Sequence, residues 1–327
     1  MQQRYRLLEL LADGRFHSGE ALGASLGIGR SAVWKLVRSL SAMGIDAFAV
    51  RGKGYRLASP IELLDRERIL AEMDAETMGL LGNIEILPEI DSTNHYLAMR
   101  ASEGLRDGHV CFAEYQSAGK GRRGRQWISP FGASIYLSVL RHFGVLSDGP
   151  QGLSLAVGVA VASALTSVGV TGVGLKWPND LLWRGKKLGG ILLELAGEPG
   201  GPWQVIAGLG LNVSLPPGSA ELIDQPWVDL QTVIGHDAMR HGPGVQAPGR
   251  NLIAGRILHY LLLDLERFAG QGFAPFRSRW EALDVARDRP VIIKELERQT
   301  RGFARWTIPV RYCYRWTDRC EKYCPVI

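Results

Sequence analysis

Four cationic side chains, Lys120, Arg122, Arg123 and Arg125, are interleaved with glycines in the stretch GKGRRGR at residues 119–125, and Trp127 follows two residues on. Guanidinium groups donate paired hydrogen bonds from a planar fork, so several of them on a glycine-rich loop suit the grasp of a polyphosphate. The three glycines also fit G-x-G-x-x-G, the dinucleotide fingerprint. That fingerprint needs a strand before it, a helix directly after it and an acidic residue about 20 positions on. Here Pro130 and Gly132 interrupt the chain, and Ala133 to Leu140 alternate as a half-buried strand does. The context excludes a Rossmann turn and predicts a flexible loop that offers its side chains to anionic groups.

Three further stretches hold polar groups at short spacing. In DSTN, residues 91–94, Ser92, Thr93 and Asn94 are residue types that cap a helix start. In KWPND, residues 176–180, the run Pro178-Asn179-Asp180 would form a turn on its own. In KKLGGIL, residues 186–192, Lys187 stands just ahead of a glycine pair. GLGLN, residues 208–212, alternates glycines within a strand pattern, which marks close backbone approach.

The elements that must position these residues follow from length and periodicity. A chain of 327 residues with 46% hydrophobic content has material for two or three domains with a real core. Its most apolar run, Leu153 to Val168, is shorter than the roughly 20 residues that span a bilayer and predicts a long buried helix. No basic-then-apolar leader opens the chain, so a cytoplasmic protein without membrane contact is expected. The four cysteines, Cys111, Cys313, Cys320 and Cys324, suit a reduced compartment and lack the spacing of a four-ligand zinc site; no metal site is assigned to them.

The net charge of +5 is unevenly spread, with nine Lys/Arg against four Asp/Glu in residues 1–60 and 17 against 22 in residues 61–275. In the basic N-terminal part, HSGEALGASLGIG predicts a short helix over Gly19 to Leu26 and a glycine turn. In the next stretch Val33, Leu36, Val37, Leu40 and Met43 recur at helical spacing, leaving Arg30, Ser31, Trp34, Lys35 and Arg38 on the free face. DAFAVRGKGYRL then predicts a hairpin with Arg51 and Lys53 at its tip. Helix, turn, helix and basic wing together predict a winged helix-turn-helix that binds DNA through those seven residues. A small helical protein-binding module is the alternative. Beyond Pro60 an amphipathic helix is expected to begin, followed by short strands without regular helical crossovers. That pattern predicts an α+β domain with a mixed or antiparallel sheet and helices on one side.

The stretches DSTN, GKGRRGRQW, KWPND and KKLGGIL, in this order, closely resemble the motifs of biotin protein ligases. With the winged helix in front, the chain from about Phe16 to Pro290 is similar to the bifunctional bacterial biotin ligases that also repress the biotin operon. The resemblance implies a winged helix over residues 1–60 and a class II synthetase-like, mixed-sheet catalytic domain over 61–285. A small SH3-like β-barrel, divergent or truncated here, would occupy 286–327. It also implies that biotin is activated by ATP, with Mg²⁺, to biotinyl-5′-adenylate and passed to a lysine of the biotin carboxyl carrier protein of acetyl-CoA carboxylase. Operator DNA is the implied second partner, bound by a homodimer that forms when the adenylate is present.

Residue by residue, the resemblance gives Arg122 and Lys187 the catalytic roles and puts both at the biotin as well. Ser92, Thr93, Asn94, Gln116, Gly119, Lys120 and Gly121 would also surround biotin. Arg122, Arg123, Arg125, Trp127, Lys176, Asn179, Asp180 and Asn212 would meet ATP or the adenylate. The chain departs from the family at Lys120, where an arginine is usual, and at Gly29, where a serine is often found ahead of the recognition helix. The last thirty or so residues lack the family's glycine-punctuated strands, which suggests a divergent strand pair or a shifted reading frame. A non-catalytic biotin-sensing repressor and a lipoate-type acyl ligase are the alternative functions.

Overall fold

The computed structural model describes residues 2–146, 149–241, 247–295, 298–307 and 311–315. The N-terminal unit contains α1 (Gln2–Leu11), α2 (Gly19–Leu26), α3 (Arg30–Arg38), a short 3-10 turn (Ser39–Met43) and the antiparallel strands β1 (Ala47–Val50) and β2 (Gly54–Leu57). Ser18 caps α2, its hydroxyl accepting from Ala21 N at 3.0 Å, and Gly27 ends that helix in the left-handed region at φ 65°. Helix α3 forms without a side-chain cap, since Gly29 precedes it. Val33, Val37, Leu40 and Met43 are buried, as their spacing predicts, against Leu7, Leu8, Leu11, Leu22 and Leu57. The segment before α2 adds a third strand-like rung to the wing, because His17 and Tyr55 exchange both backbone hydrogen bonds at 2.8 Å.

The expected helix beyond Pro60 begins only at α4 (Arg66–Leu70), capped by Asp65. Residues 61–65 form no regular element instead, because their polar groups are taken up by the next domain. Asp65 N donates to Asn251 Oδ1 at 2.7 Å, and Asn251 Nδ2 donates to Leu63 O and Glu62 Oε1, each at 2.9 Å. Leu64 N donates to the carboxylate of Glu114, which is fully buried. Glu114 also pairs with Arg250 at 2.9 Å, and Arg250 donates to Glu62 O and Ser134 O. The linker is thereby locked to two elements of the central domain.

That domain continues through α5 (Ala75–Leu80), β3 (Asn83–Leu87), α6 (Thr93–Ser102), β4 (His109–Ala113), β5 (Ser134–Val145), α7 (Leu153–Ser167), β6 (Val173–Lys176), β7 (Asp180–Trp183), β8 (Lys186–Gly197) and β9 (Pro202–Asn212). It is completed by α8 (Leu230–His241), α9 (Arg250–Gln271) and α10 (Arg277–Leu283). Seven strands form one mixed sheet in the order β3-β4-β5-β9-β8-β7-β6, in which only β3 and β4 run parallel. Helix α7 is apolar almost all round and is buried between this sheet and α9, whose residues Ile253, Ile257, Leu261, Leu265 and Phe268 face it at helical spacing. Each such side chain contributes about 1.5–3 kcal/mol of burial. The expectation of helices on one side is corrected: α6 packs on the other face through Leu97 and Ala101, against Cys111, Leu140 and Ile206. Strand alternation sends Val110 and Phe112 to one core and Cys111 to the other, so both faces need cover.

The C-terminal unit shows β10 (Pro290–Glu295), β11 (Arg298–Thr307) and β12 (Arg311–Arg315) as an antiparallel meander, with Ala286, Val291 and Ala304 buried together. The expected barrel is represented among the described residues by these three strands, one more than a strand pair. Cys320 and Cys324 lie outside the described residues. Among the described residues, no helix is long and apolar enough to cross a membrane.

Removing one member of a buried ion pair leaves the other charged and dry. Arg250→Ala is therefore expected to lower stability by about 3–5 kcal/mol in urea titration. A loss under about 1 kcal/mol would mean that Glu114 is not held by that pair.

Candidate functional site

A cavity of about 800 Å³ opens on the α6 face of the sheet, where β8 and β9 meet the loop that joins β4 to β5. Its inner end is built from short polar side chains. Helix α6 starts at Thr93 because Ser92 is its cap, and that start buries Ser92, Thr93 and Asn94 together. Thr93 N donates to Gln116 Oε1 at 2.9 Å, Gln116 Nε2 donates to Ser129 Oγ at 3.1 Å, and Asn94 Nδ2 donates to Leu192 O at 3.2 Å. The hydroxyl of Ser138, fully buried on β5, lies 2.6 Å from Asn94 Oδ1 and 2.7 Å from Thr93 Oγ1. Buried groups partnered this closely have little freedom to turn away from a ligand.

Glycines on β8 and β9 make the room. A Cβ at Gly208 would fall 2.0 Å from Asn94 Oδ1, and Cβ atoms at Gly210 and Gly190 would fall 2.4 and 3.2 Å from the Trp127 ring. The alternating glycines of GLGLN are thus where two side chains lie directly on strand backbone. The indole Nε1 of Trp127 is buried with no hydrogen-bond partner, a donor left over on the cavity wall.

The outer end is cationic. The basic stretch is not the open loop expected from its glycines. Gly121 N donates to Arg125 O at 2.7 Å and Trp127 N to Gly119 O at 2.8 Å, closing a tight hairpin around a 3-10 turn at Arg122–Gly124. Arg123 and Gly124 both take positive φ there, 57° and 73°. Arg122 Nη1 donates to Asn179 Oδ1 at 2.9 Å, tying the hairpin to the KWPND turn. Asn179 is itself fixed, with Nδ2 donating to Ile191 O and its own carbonyl accepting from Ile191 N, both at 2.9 Å. Burial, then repulsion from Arg123, pulls the Arg122 guanidinium below its ordinary pKa. Lys187 Nζ lies 2.8 Å from Asp180 Oδ1 and 5.5 Å from the centre of the Trp127 ring.

Of the residues read from sequence, Ser92, Thr93, Asn94, Gln116, Lys120, Gly121, Arg122, Arg123, Arg125, Trp127, Lys176, Asn179, Asp180 and Lys187 all line this one cavity. Gly119 is buried behind the wall, where a Cβ would meet Trp127 O at 2.5 Å. Asn212 also stands behind it, donating to Val228 O at 3.0 Å and Lys187 O at 3.4 Å, which supports the lysine's backbone from below. Six cations face two carboxylates, Asp180 and Asp224, an imbalance that suits an anionic ligand such as a polyphosphate. Sequence reading missed Ser138 and Ser129, which carry no local signal, and Asp224 and Gln225, which arrive on a separate loop. Among the described residues no three His, Cys, Asp or Glu side chains gather as a metal site. The seven residues read as DNA-binding are all exposed, five on α3 and two on the wing turn.

Residues 86–212 match the model of the biotin/lipoate A/B protein ligase family, and residues 3–56 match an HTH domain. The chain is 43% identical over 302 residues to the bifunctional ligase/repressor BirA of Salmonella typhimurium, covering 91% of this chain and 88% of that one. It is 42% identical to the bifunctional ligase/repressor BirA of Escherichia coli, covering 92% and 88%. A biotin protein ligase from Aquifex aeolicus, solved in complex with biotin and ATP, matches 68% of this chain and 87% of its own with a TM-score of 0.54 at 25% identity.

Because Asn94 is held by Ser138 and Leu192, it cannot step aside for a methyl group. Gly208→Ala is expected to cost about 1–3 kcal/mol by thermal melting. A variant as stable as its parent would show that Asn94 is free to move.

Proposed function

This chain belongs to the biotin/lipoate A/B protein ligase family, and from that premise we propose that it is an AMP-forming biotin–[biotin carboxyl carrier protein] ligase that also represses transcription as a DNA-binding protein. The observation that carries the enzymatic reading is the two-ended cavity, with fixed hydroxyl and amide groups at one end and six cations at the other. Hydroxyl and amide groups match the donors and acceptors of a ureido ring, which is the head of biotin. The cations match the triphosphate of ATP.

In the first step a biotin carboxylate oxygen attacks the α-phosphorus of ATP, the bond to the β-phosphate oxygen breaks, and pyrophosphate leaves with that electron pair. Carboxylate and triphosphate repel one another, so donors must be in place before they meet. Arg122 and Lys187 fill that role. Arg122 is already aimed by Asn179 and Lys187 by Asp180, so neither has to reorganise far. The Lys187–Asp180 pair also holds the ammonium in place until substrate phosphate competes for it. Trp127 offers an aromatic face beside Lys187 for the adenylate, and its unpartnered Nε1–H is available to an acceptor on it. In the second step the amine of an acceptor lysine attacks the acyl carbon of the adenylate, AMP leaves, and the new amide loses a proton.

Mg²⁺ supplies charge neutralisation on the phosphates when bound. Asp180 and Asp224, the carboxylates on the wall among the described residues, would be the side chains to hold it. On this reading residues 1–60 serve DNA binding and 61–285 catalysis, while 286–327 are a C-terminal part whose described residues include β10, β11 and β12. A homodimer formed with bound adenylate would present two recognition helices to two operator half-sites. The working compartment is the cytoplasm, where both the carrier protein and the operator are found.

Purified protein is expected to exchange labelled pyrophosphate into ATP only when biotin is present. Arg122→Ala and Lys187→Ala should each lower that rate by about 10²–10³. Biotin binding without any exchange would replace the ligase reading with that of a sensor.

A further inference from the structure

We infer that Arg56, clamped between Phe16 and Phe48 on the outer face of the wing, is a preformed contact for a DNA backbone phosphate beside the site read by α3. The inference rests on the proposed DNA-binding function and deepens it, adding a residue and a mode of contact. Strand alternation on β2 turns Leu57 into the N-terminal core and packs Tyr55 against it, while Arg56 points to the opposite face. There Arg56 stands directly across from Phe48 in the β1–β2 register, and Phe16 flanks it from the rung made by His17 and Tyr55. The guanidinium carbon lies 5.0 Å from the centre of the Phe16 ring and 5.3 Å from that of Phe48. Lys53, at the wing tip, places its ammonium 5.9 Å from the same Phe16 ring.

The rings are poorly covered, 37% exposed for Phe16 and 47% for Phe48, yet they stand on either side of one cation. Among the described residues no carboxylate pairs with Arg56 or Lys53. The Nε of Arg56 is buried with no acceptor, so the donors left for a partner are those at the far edge of the guanidinium. A planar fork held by two aromatic faces loses little side-chain entropy when it takes up a phosphate in two hydrogen bonds. Strand β2 also runs close to the recognition helix, through its other face: from Gly19, a Cβ would lie 3.2 Å from the Tyr55 ring and 3.5 Å from the side chain of Arg30, the first residue of α3. A phosphate partner explains the unpaired cations and their place together. A protein partner explains only the exposed rings.

The test uses full-length protein with biotin and ATP, and a fluorescein-labelled random-sequence DNA duplex read by anisotropy over a salt series. Arg56→Ala is expected to weaken binding several-fold and to lower the slope of log affinity against log salt by about 1. Arg56→Lys should keep that slope but bind less tightly than the parent, because the ammonium keeps the charge and loses the fork. Thermal melting confirms that both variants fold. Lys35→Ala on α3 is the reference for the underlying reading. If Lys35→Ala weakens binding and Arg56→Ala matches the parent, DNA binding stands and this inference is overturned. A parent that binds no duplex overturns both. If Arg56→Ala changes self-association in sedimentation but not DNA affinity, the face is a contact between copies and the inference falls. Arg56→Lys indistinguishable from the parent would remove the aromatic clamp from the account.

Discussion

Six like charges around one cavity repel one another, and much of the surrounding structure is what keeps them there. Two carboxylates cannot neutralise them, so geometry does part of the work. The hairpin of residues 119–127 is closed by its own backbone hydrogen bonds, which spreads Lys120, Arg122, Arg123 and Arg125 along a rigid turn. Asn179 holds one guanidinium by a neutral acceptor, and Asp180 holds Lys187. The residual repulsion is visible in Arg122, whose charged form is disfavoured by burial and by Arg123. An anionic ligand would relieve that repulsion.

The same strand end serves both the cavity and the junction between domains. Glu114 and Gln116 are two residues apart beyond β4. Gln116 orders the start of α6 through Thr93, while Glu114 is the buried acid that fixes the linker through Leu64 and Arg250. After the basic hairpin the chain returns directly to the N-terminal unit. Phe131 N donates to Met43 O at 3.1 Å, and the Phe131 ring lies edge-on to Tyr5 at 6.4 Å. The HTH module therefore rests on residues that immediately flank the candidate site on both sides.

Some of the structure was legible because its cause is local. The face of α3 that packs, the turn that separates β1 from β2, and the buried α7 all follow from periodicity and composition over a dozen or so residues. The cationic stretch was legible as four positive side chains at glycines, a composition suited to anions, and all four do line the cavity. Its shape was not legible. Glycine-rich sequence permits an open loop as readily as a tight hairpin, and the choice was made by backbone bonds to Gly119 and Arg125 and by the distant Asn179. Likewise the helix expected at residue 61 gave way to a linker with no regular element, because Arg250 and Asn251, nearly two hundred positions away, claim its polar groups.

By itself the sequence determined which residue types could handle polyphosphate, which faces of the local elements are apolar, and the likeness of four ordered motifs to one family. Those are properties of short windows, where side-chain chemistry and helix or strand periods act alone. Only the tertiary structure decided that fourteen of the site residues share one cavity while Gly119 and Asn212 stand behind it, and that Ser138 belongs with them. It also decided that α6 covers the second face of the sheet. The reason is that cross-strand register and the room left by Gly208 and Gly210 depend on contacts between segments far apart in the chain, such as Val145 with Pro202 and Asn94 with Gly208, which no local pattern encodes.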